Sequence, residues 1–470
     1  MNNNLTNRST IRCGKEQEIC SIAEALSLID NDGTIFIDPG VYKEHLDFTK
    51  KVKIIGVTDS IIEKNSNELP IVILDADKSC TISVPVEIEG IVFTHKESIS
   101  FEKLGNYIDE ANDSEKKRHI FEQNGAGEKP LLYVESDAIL KNIGVLYSQN
   151  GGISFSKCSA IVEKSIISHS RKMGVLIKDS ATPQLVDCFI HNNIRNGIVV
   201  KDDANPRITG CKIYNQLSNG IFVKNKAEGT FERCDIYGNK LHGIALSGRA
   251  APNINECRIY ENGEEDGVCS GITILETASP KVNACDVFNN AGAGVKWFAS
   301  QSLDEWAESS QKMEENDKRW HKSSTRISFS SAGGELCECH IHDNKENGVI
   351  VWGRAEPKIE KCEIHDNKTI GECFPGVIVG EQASPQMIDC EVFSHLSYGI
   401  WLQSKAQGVY ENCVIYNNED GVYIQDSAKG VFSICHIYHN KIDGITIVDE
   451  ANPKIANCNI HDNGEENLKN

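Results

Sequence analysis

Asn219-Gly-Ile-Phe-Val-Lys-Asn-Lys-Ala-Glu-Gly-Thr-Phe-Glu-Arg-Cys-Asp-Ile-Tyr-Gly-Asn239 contains two short alternating runs separated by Gly, Asn and Lys. Alternation with a period of two marks half-buried strands, and nothing in the stretch sustains the 3.6-residue period of a helix. The same text recurs outward from it. Cysteines fall at 188, 211, 234 and 257, and again at 339, 362, 390, 413, 435 and 458, mostly 23 residues apart. Cys158 and Cys285 belong to the same series. After most of them comes Ile or Val at +2, an aromatic or His at +3 and Asn at +5, as in Cys362-Glu-Ile-His-Asp-Asn367 and Cys458-Asn-Ile-His-Asp-Asn463. A glycine such as Gly220, Gly243 or Gly399 then opens the next run, and an alanine followed by Pro or Gly closes it, as in Ala204/Pro206 and Ala227/Gly229.

A unit of this size with three short strands cannot bury its own apolar face, whereas stacked copies can. The expected fold is therefore all-β, a single-stranded right-handed parallel β-helix with one coil of about 23 residues per repeat. Successive coils would rise by about 4.8 Å, the interstrand spacing. Cys and the +2 aliphatic residue should face inward, and the +5 Asn should form an amide ladder in a turn. Ser21-Ile-Ala-Glu-Ala-Leu-Ser-Leu-Ile29 reads as a capping helix that covers the otherwise open first coil. Residues 1–57 are read as cap and first coil, and 58–470 as the β-helix, with insertions at about 96–130 and 300–335. The second insertion, with Trp306, Met313 and Trp320, is expected to be a helical excursion. The open C-terminal end is a candidate for end-to-end self-association.

The repeat resembles the carbohydrate-binding and sugar-hydrolase type β-helix repeats, most of all those of β-helix-containing F-box proteins that recruit substrates to a ubiquitin ligase. The opening from Ile22 to Gly56 is similar to that of pectinesterase-like proteins. These resemblances imply either a non-catalytic scaffold that recognises a protein, with a ubiquitin-pathway adaptor role, or a protein that binds or cleaves an extended polysaccharide.

The chain has 470 residues and a formal net charge of −20. That balance argues against nucleic acid and anionic membrane as partners, because both need clustered Lys and Arg. No apolar run is long enough to span a bilayer. Eighteen cysteines without an apolar leader suggest reduced thiols and a cytoplasmic location.

Candidate binding residues lie where the repeat is decorated or broken. Counting from each Gly, the +2 and +4 side chains should face out, which selects Phe222, Trp352, Trp401 and Tyr423. Trp401 and Tyr423 occupy equivalent places in adjacent coils, and their rings are expected about 5 Å apart. Two coils carry the same five-residue insertion; the first contributes Glu264, Glu265 and Asp266, and each holds an extra thiol, Cys269 or Cys373. These carboxylates lack the ligand spacing of a calcium loop, and Cys337, Cys339, His340 and His342 lack a CxxC pair, so no metal and no cofactor is expected. No catalytic residue is assigned. Of the polygalacturonase signature only Asp202-Asp203 and a partial Leu241-His-Gly243 are present, and neighbouring carboxylates on alternate sides of a strand do not converge on one bond.

Overall fold

The computed structural model describes residues 8–56, 70–75, 78–95, 129–264, 269–299, 331–367 and 374–469. The chain divides into two compact units, Met1–Phe222 and Val223–Asn470. Each is a stack of right-handed parallel β-coils whose strands fall into three parallel sheets. One coil of the second unit runs Thr230–Glu232 in the first sheet, Asp235–Tyr237 in the second and Ile244–Leu246 in the third.

Each strand is only about three residues long because the chain must turn at three corners. The bend from first to second sheet places one residue in the left-handed region, such as Arg233 (φ 51°) or Asp389 (φ 55°). The turn from third to first sheet uses two in succession, such as Asp426 (φ 53°) and Ser427 (φ 59°). Asp, Asn and Gly tolerate this conformation, which is why they fill the turns of the repeat. The alanine of the sequence anchor is the small residue turned into that corner: Ala227, Ala355 and Ala428 are wholly buried.

In the first unit the register Ile167↔Ile190↔Ile213 builds the aliphatic column. In the second, Ile236↔Ile259↔Val287↔Ile341↔Ile364 continues without a slip, although the sequence between Ala299 and Glu335 is long. The thiols stack beside it: Cys188 N–H points to Cys211 Sγ at 3.4 Å, and Cys285 N–H to Cys339 Sγ at 3.4 Å. All cysteines among the described residues are free thiols, and burial raises the Cys80 thiol well above its ordinary range.

The asparagines form the expected ladder. Asn262, Asn290, Asn344 and Asn367 are each completely buried, and each side-chain amide donates to the next Oδ1, at 3.0, 2.9 and 2.8 Å in turn. Alongside runs the +3 stripe. In the second unit its rings stack continuously from Tyr237 through Tyr260, Phe288, His342, His365, Phe393, Tyr416 and Tyr438 to His461, with neighbouring centroids 4.7–5.5 Å apart. Its regularity makes it part of the fold.

Helix Ile22–Leu28 is present, with Ile22, Ala25 and Ile29 buried and Ser21 as N-cap. Glu44 completes that cap, accepting from Ile22 N at 3.0 Å and Ala23 N at 2.7 Å. In the last coil Ile455, Cys458 and Ile460 are half-buried where their counterparts are buried. Among the described residues no helix is long and apolar enough to cross a membrane. The helical excursion expected at 303–320, and nearly all of 96–130, lie outside the described residues.

Candidate functional site

The outer face of the third sheet carries the features that are not explained by coil stacking. In the second unit the outward column reads Ala245, Thr273, Lys296, Ile350, Ile378, Trp401, Tyr423 and Thr446, each in register with the next. A second column, the residue just before each Gly, borders it and includes His242, Asn347, Tyr398, Asp420 and Asp443.

Trp401 and Tyr423 are half-buried and adjacent, as their shared position requires. Their rings are not parallel, however: the centroids are 6.4 Å apart at 81°. The face of Tyr423 is taken by Tyr398, stacked at 4.5 Å and 20°, and Trp401 packs edge-on against both. Trp401 Nε1 is buried without a hydrogen-bond partner. Tyr398 escapes the sequence reading because it belongs to the bordering column, the residue before the glycine, which holds Asn or Asp at 196, 219, 347, 420 and 443 but varies elsewhere.

Polar groups flank this aromatic cluster. Asp420 is 8% exposed, and burial raises its pKa. Burial pushes the Asp443 carboxyl up, but hydrogen bonds from Lys469 Nζ at 2.9 Å, Glu466 N at 3.0 Å and Thr446 Oγ1 at 3.1 Å outweigh it and hold the group below its ordinary range. A raised and a lowered carboxyl side by side suggest an acid–base pair. The geometry opposes that reading. Asp420 Oδ1 accepts from Asp443 N and Asp443 Oδ1 from Glu466 N, the bonding that Asn196 makes to Asn219 in an ordinary coil. Both carboxylates are corner residues.

Toward the other end of the column His242 Nδ1 accepts from Ser270 N at 2.9 Å and lies 2.9 Å from Thr273 Oγ1. Burial, with the nearby Lys296 charge, lowers His242 to about 4. Lys296 is itself lowered by burial, against the pull of Glu346 and Cys269. Its Nζ lies 5.5 Å from the Phe298 ring centre.

Trp352 is half-buried but belongs to a different column, in register with Phe298. Its indole rests on Gly380, where any Cβ would clash with the ring, so Trp352 is packed into the wall and does not share a platform with Trp401. Phe222 corrects the sequence reading further. It occupies an outward position of the third sheet yet is only 8% exposed, like Val199 at 4% in the equivalent place of the preceding coil. Glu264 is exposed and pairs with Lys240 at 2.9 Å. Glu265, Asp266 and Cys373 lie outside the described residues.

Asp202 and Asp203 are not in a strand. Both occupy the left-handed turn (φ 57° and 59°), and Asp202 pairs with Lys201 at 2.8 Å. Cys339 faces the core while His340 and His342 face out, and no group of three metal-ligating residues converges among the described residues.

In the first unit the corresponding face opens into a cleft of about 550 Å³. Its lining includes Tyr133, Ser154, Lys129, Lys172, Lys178 and Lys201.

A family model described as the right handed beta helix region matches residues 131–225, 151–304 and 375–469, more than half of the chain. The chain belongs to that family. Solved structures similar to this β-helix include a variant of a periplasmic alginate epimerase, at 13% identity over 78% of this chain and 73% of that one, TM-score 0.47. The A-module of an Azotobacter vinelandii mannuronan C-5 epimerase matches at 12% identity over 95% and 90%, TM-score 0.34. The catalytic domain of an α-1,3-glucanase matches at 10% identity over 77% and 65%, TM-score 0.41. These are likenesses of coil architecture only. A search of curated proteins finds none similar in sequence. Nothing in these comparisons carries the finer resemblance to F-box proteins or pectinesterases.

Proposed function

We propose that the outer face of the third sheet in the second unit binds an extended polysaccharide. The observation that supports this reading is the cluster of Tyr398, Trp401 and Tyr423 on rigid, in-register strands, with Asp420 and Thr446 beside it. Sugars present alternating apolar C–H faces and hydroxyl rims, which match half-exposed aromatic rings flanked by hydrogen-bonding groups. The exposed strand spacing of about 4.8 Å provides successive contacts along an extended chain. The ubiquitin-adaptor alternative has only the sequence resemblance behind it.

Affinity electrophoresis and calorimetry against a panel of neutral and acidic polysaccharides test the proposal, with sugar release followed in parallel. Truncating a central aromatic anchor costs about 2 kcal/mol, a loss of roughly 30-fold. Trp401→Ala and Tyr423→Ala should each weaken binding by about that factor. Unchanged affinity in both variants, or no binding to any polysaccharide, refutes the reading.

A further inference from the structure

We propose that Cys435 and Cys458, stacked in adjacent coils of the second unit, bind a soft monovalent cation of the Cu(I) class by linear two-sulfur coordination. The site is separate from the aromatic face of the third sheet and stands without it.

The geometry comes from the register. Ser433 pairs with Ala456 and His436 with Asn459, so the cysteines between them hold the same corner of successive coils. Their side chains also point the same way: Cys435 Sγ lies 3.5 Å from Ser433 O, and Cys458 Sγ lies 3.6 Å from Ala456 O. Two parallel thiols are therefore separated by about the coil rise, about 4.8 Å. A disulfide, with an S–S bond of about 2.0 Å, requires both side chains to turn toward each other and give up these carbonyl contacts. A two-coordinate ion does not. With a metal–thiolate bond of about 2.3 Å on each side, a linear S–M–S unit spans about 4.6 Å.

The donor set selects the ion. Thiolates prefer soft cations, whereas Mg²⁺ and Ca²⁺ require oxygen ligands. Zinc needs four converging ligands, and no group of three metal-ligating side chains converges among the described residues. Binding exchanges protons for metal: each sulfur releases its proton to solvent and bonds the ion, giving a bis-thiolate of net charge −1 with no change of oxidation state. Cys435 ionises the more readily, because hydrogen bonding from Cys413 lowers its thiol to about 7 against its burial. Burial raises the Cys458 thiol, and the Cys435 backbone opposes that rise. Access distinguishes this pair from the rest of the column. Cys458 is half-buried, as are Ile455 and Ile460 beside it, while the column cysteines from Cys188 to Cys435 are buried. A net charge of −20 draws cations toward the chain.

The test is anaerobic titration of the reduced full chain with Cu(I) against a competing Cu(I) chelator, followed by ultraviolet thiolate-to-copper absorption and X-ray absorption. One equivalent should be retained, with two sulfur neighbours in linear geometry and release of protons, and Zn(II) should not be retained. Cys458→Ser should lower the affinity by about a hundredfold or more without shifting thermal unfolding, and Cys435→Ser should lower it as much. Cys20→Ser combined with Cys373→Ser, which removes thiols that do not belong to the repeat, should leave it unchanged. Failure to retain Cu(I), three or four sulfur neighbours, equal retention of Zn(II), loss of binding in the Cys20 and Cys373 variant, or undiminished affinity in Cys458→Ser each overturn the proposal.

Discussion

Replacing Asn344 with leucine removes one rung of the buried amide ladder while roughly conserving volume. The side chain is completely buried. Its Oδ1 accepts from Asn290 N at 3.1 Å and Asn290 Nδ2 at 2.9 Å. Its own Nδ2 donates to Val287 O, His342 O and Asn367 Oδ1. Asn344→Leu therefore strands one buried donor, the Asn290 backbone N–H, while Asn290 Nδ2 keeps Ile259 O and Phe288 O as acceptors, and the leucine side chain leaves no space for a compensating water. At about 1–3 kcal/mol for the unsatisfied N–H, and about 1 kcal/mol for the ladder bond lost with it, the expected cost is about 3 kcal/mol. Because stacked coils open locally, the assay is native-state hydrogen exchange, read at the Asn290 amide. About 3 kcal/mol corresponds to a loss of protection of more than a hundredfold. The equivalent change at Asn463, in the half-buried last coil, should cost far less. A loss below tenfold at Asn290 would refute the view that the ladder is an energetic element and not a by-product of repetition.

Other outcomes follow from the same structure. Burial lowers His191 to about 4 from an ordinary 6.5, so the unfolded chain binds protons that the folded chain refuses. Stability of the first unit should fall as pH drops from about 6.5 toward 4, and His191→Phe, which keeps the stack on Tyr214, should reduce that dependence in urea titrations without abolishing it, because burial also lowers His169 to about 4. Gly348 is a close-approach glycine: a Cβ there would lie 2.5 Å from Ile364 Cγ2 and 2.9 Å from Gly376 O. Gly348→Ala should cost ~1–3 kcal/mol in the same titration; a neutral result would mean that neighbouring coils separate easily. Ile434 is a β-branched residue in the left-handed region (φ 58°) and 48% exposed. Ile434→Asn should raise the melting temperature by relieving about 1 kcal/mol of backbone strain, and a lower melting temperature would contradict that account.

The architecture was legible because each column of the solenoid repeats in the sequence: Cys234, Ile236, Asn239 and Ala227 each announce a place in the coil that the structure confirms. The candidate site was legible only in part. Trp401 and Tyr423 share a repeat position, so their adjacency could be read directly. Tyr398 could not, because its contact depends on how far a side chain reaches across a corner. Phe222 takes the outward position that alternation predicts, but alternation says nothing about how deeply an outward side chain is buried. The lysine cleft was missed for a related reason: Lys178 and Lys201 share a repeat position, four residues after Gly174 and Gly197, but Lys129 and Lys172 do not, and all four meet only when coils are superposed in their true register.

The most direct test of the proposed function is hydrogen exchange of the full chain with and without a bound polysaccharide. Protection should concentrate on the third-sheet strands Val377–Val379, Ile400–Leu402 and Val422–Ile424, and should be lost in Trp401→Ala. Protection confined to other strands, or persisting unchanged in that variant, would contradict the account.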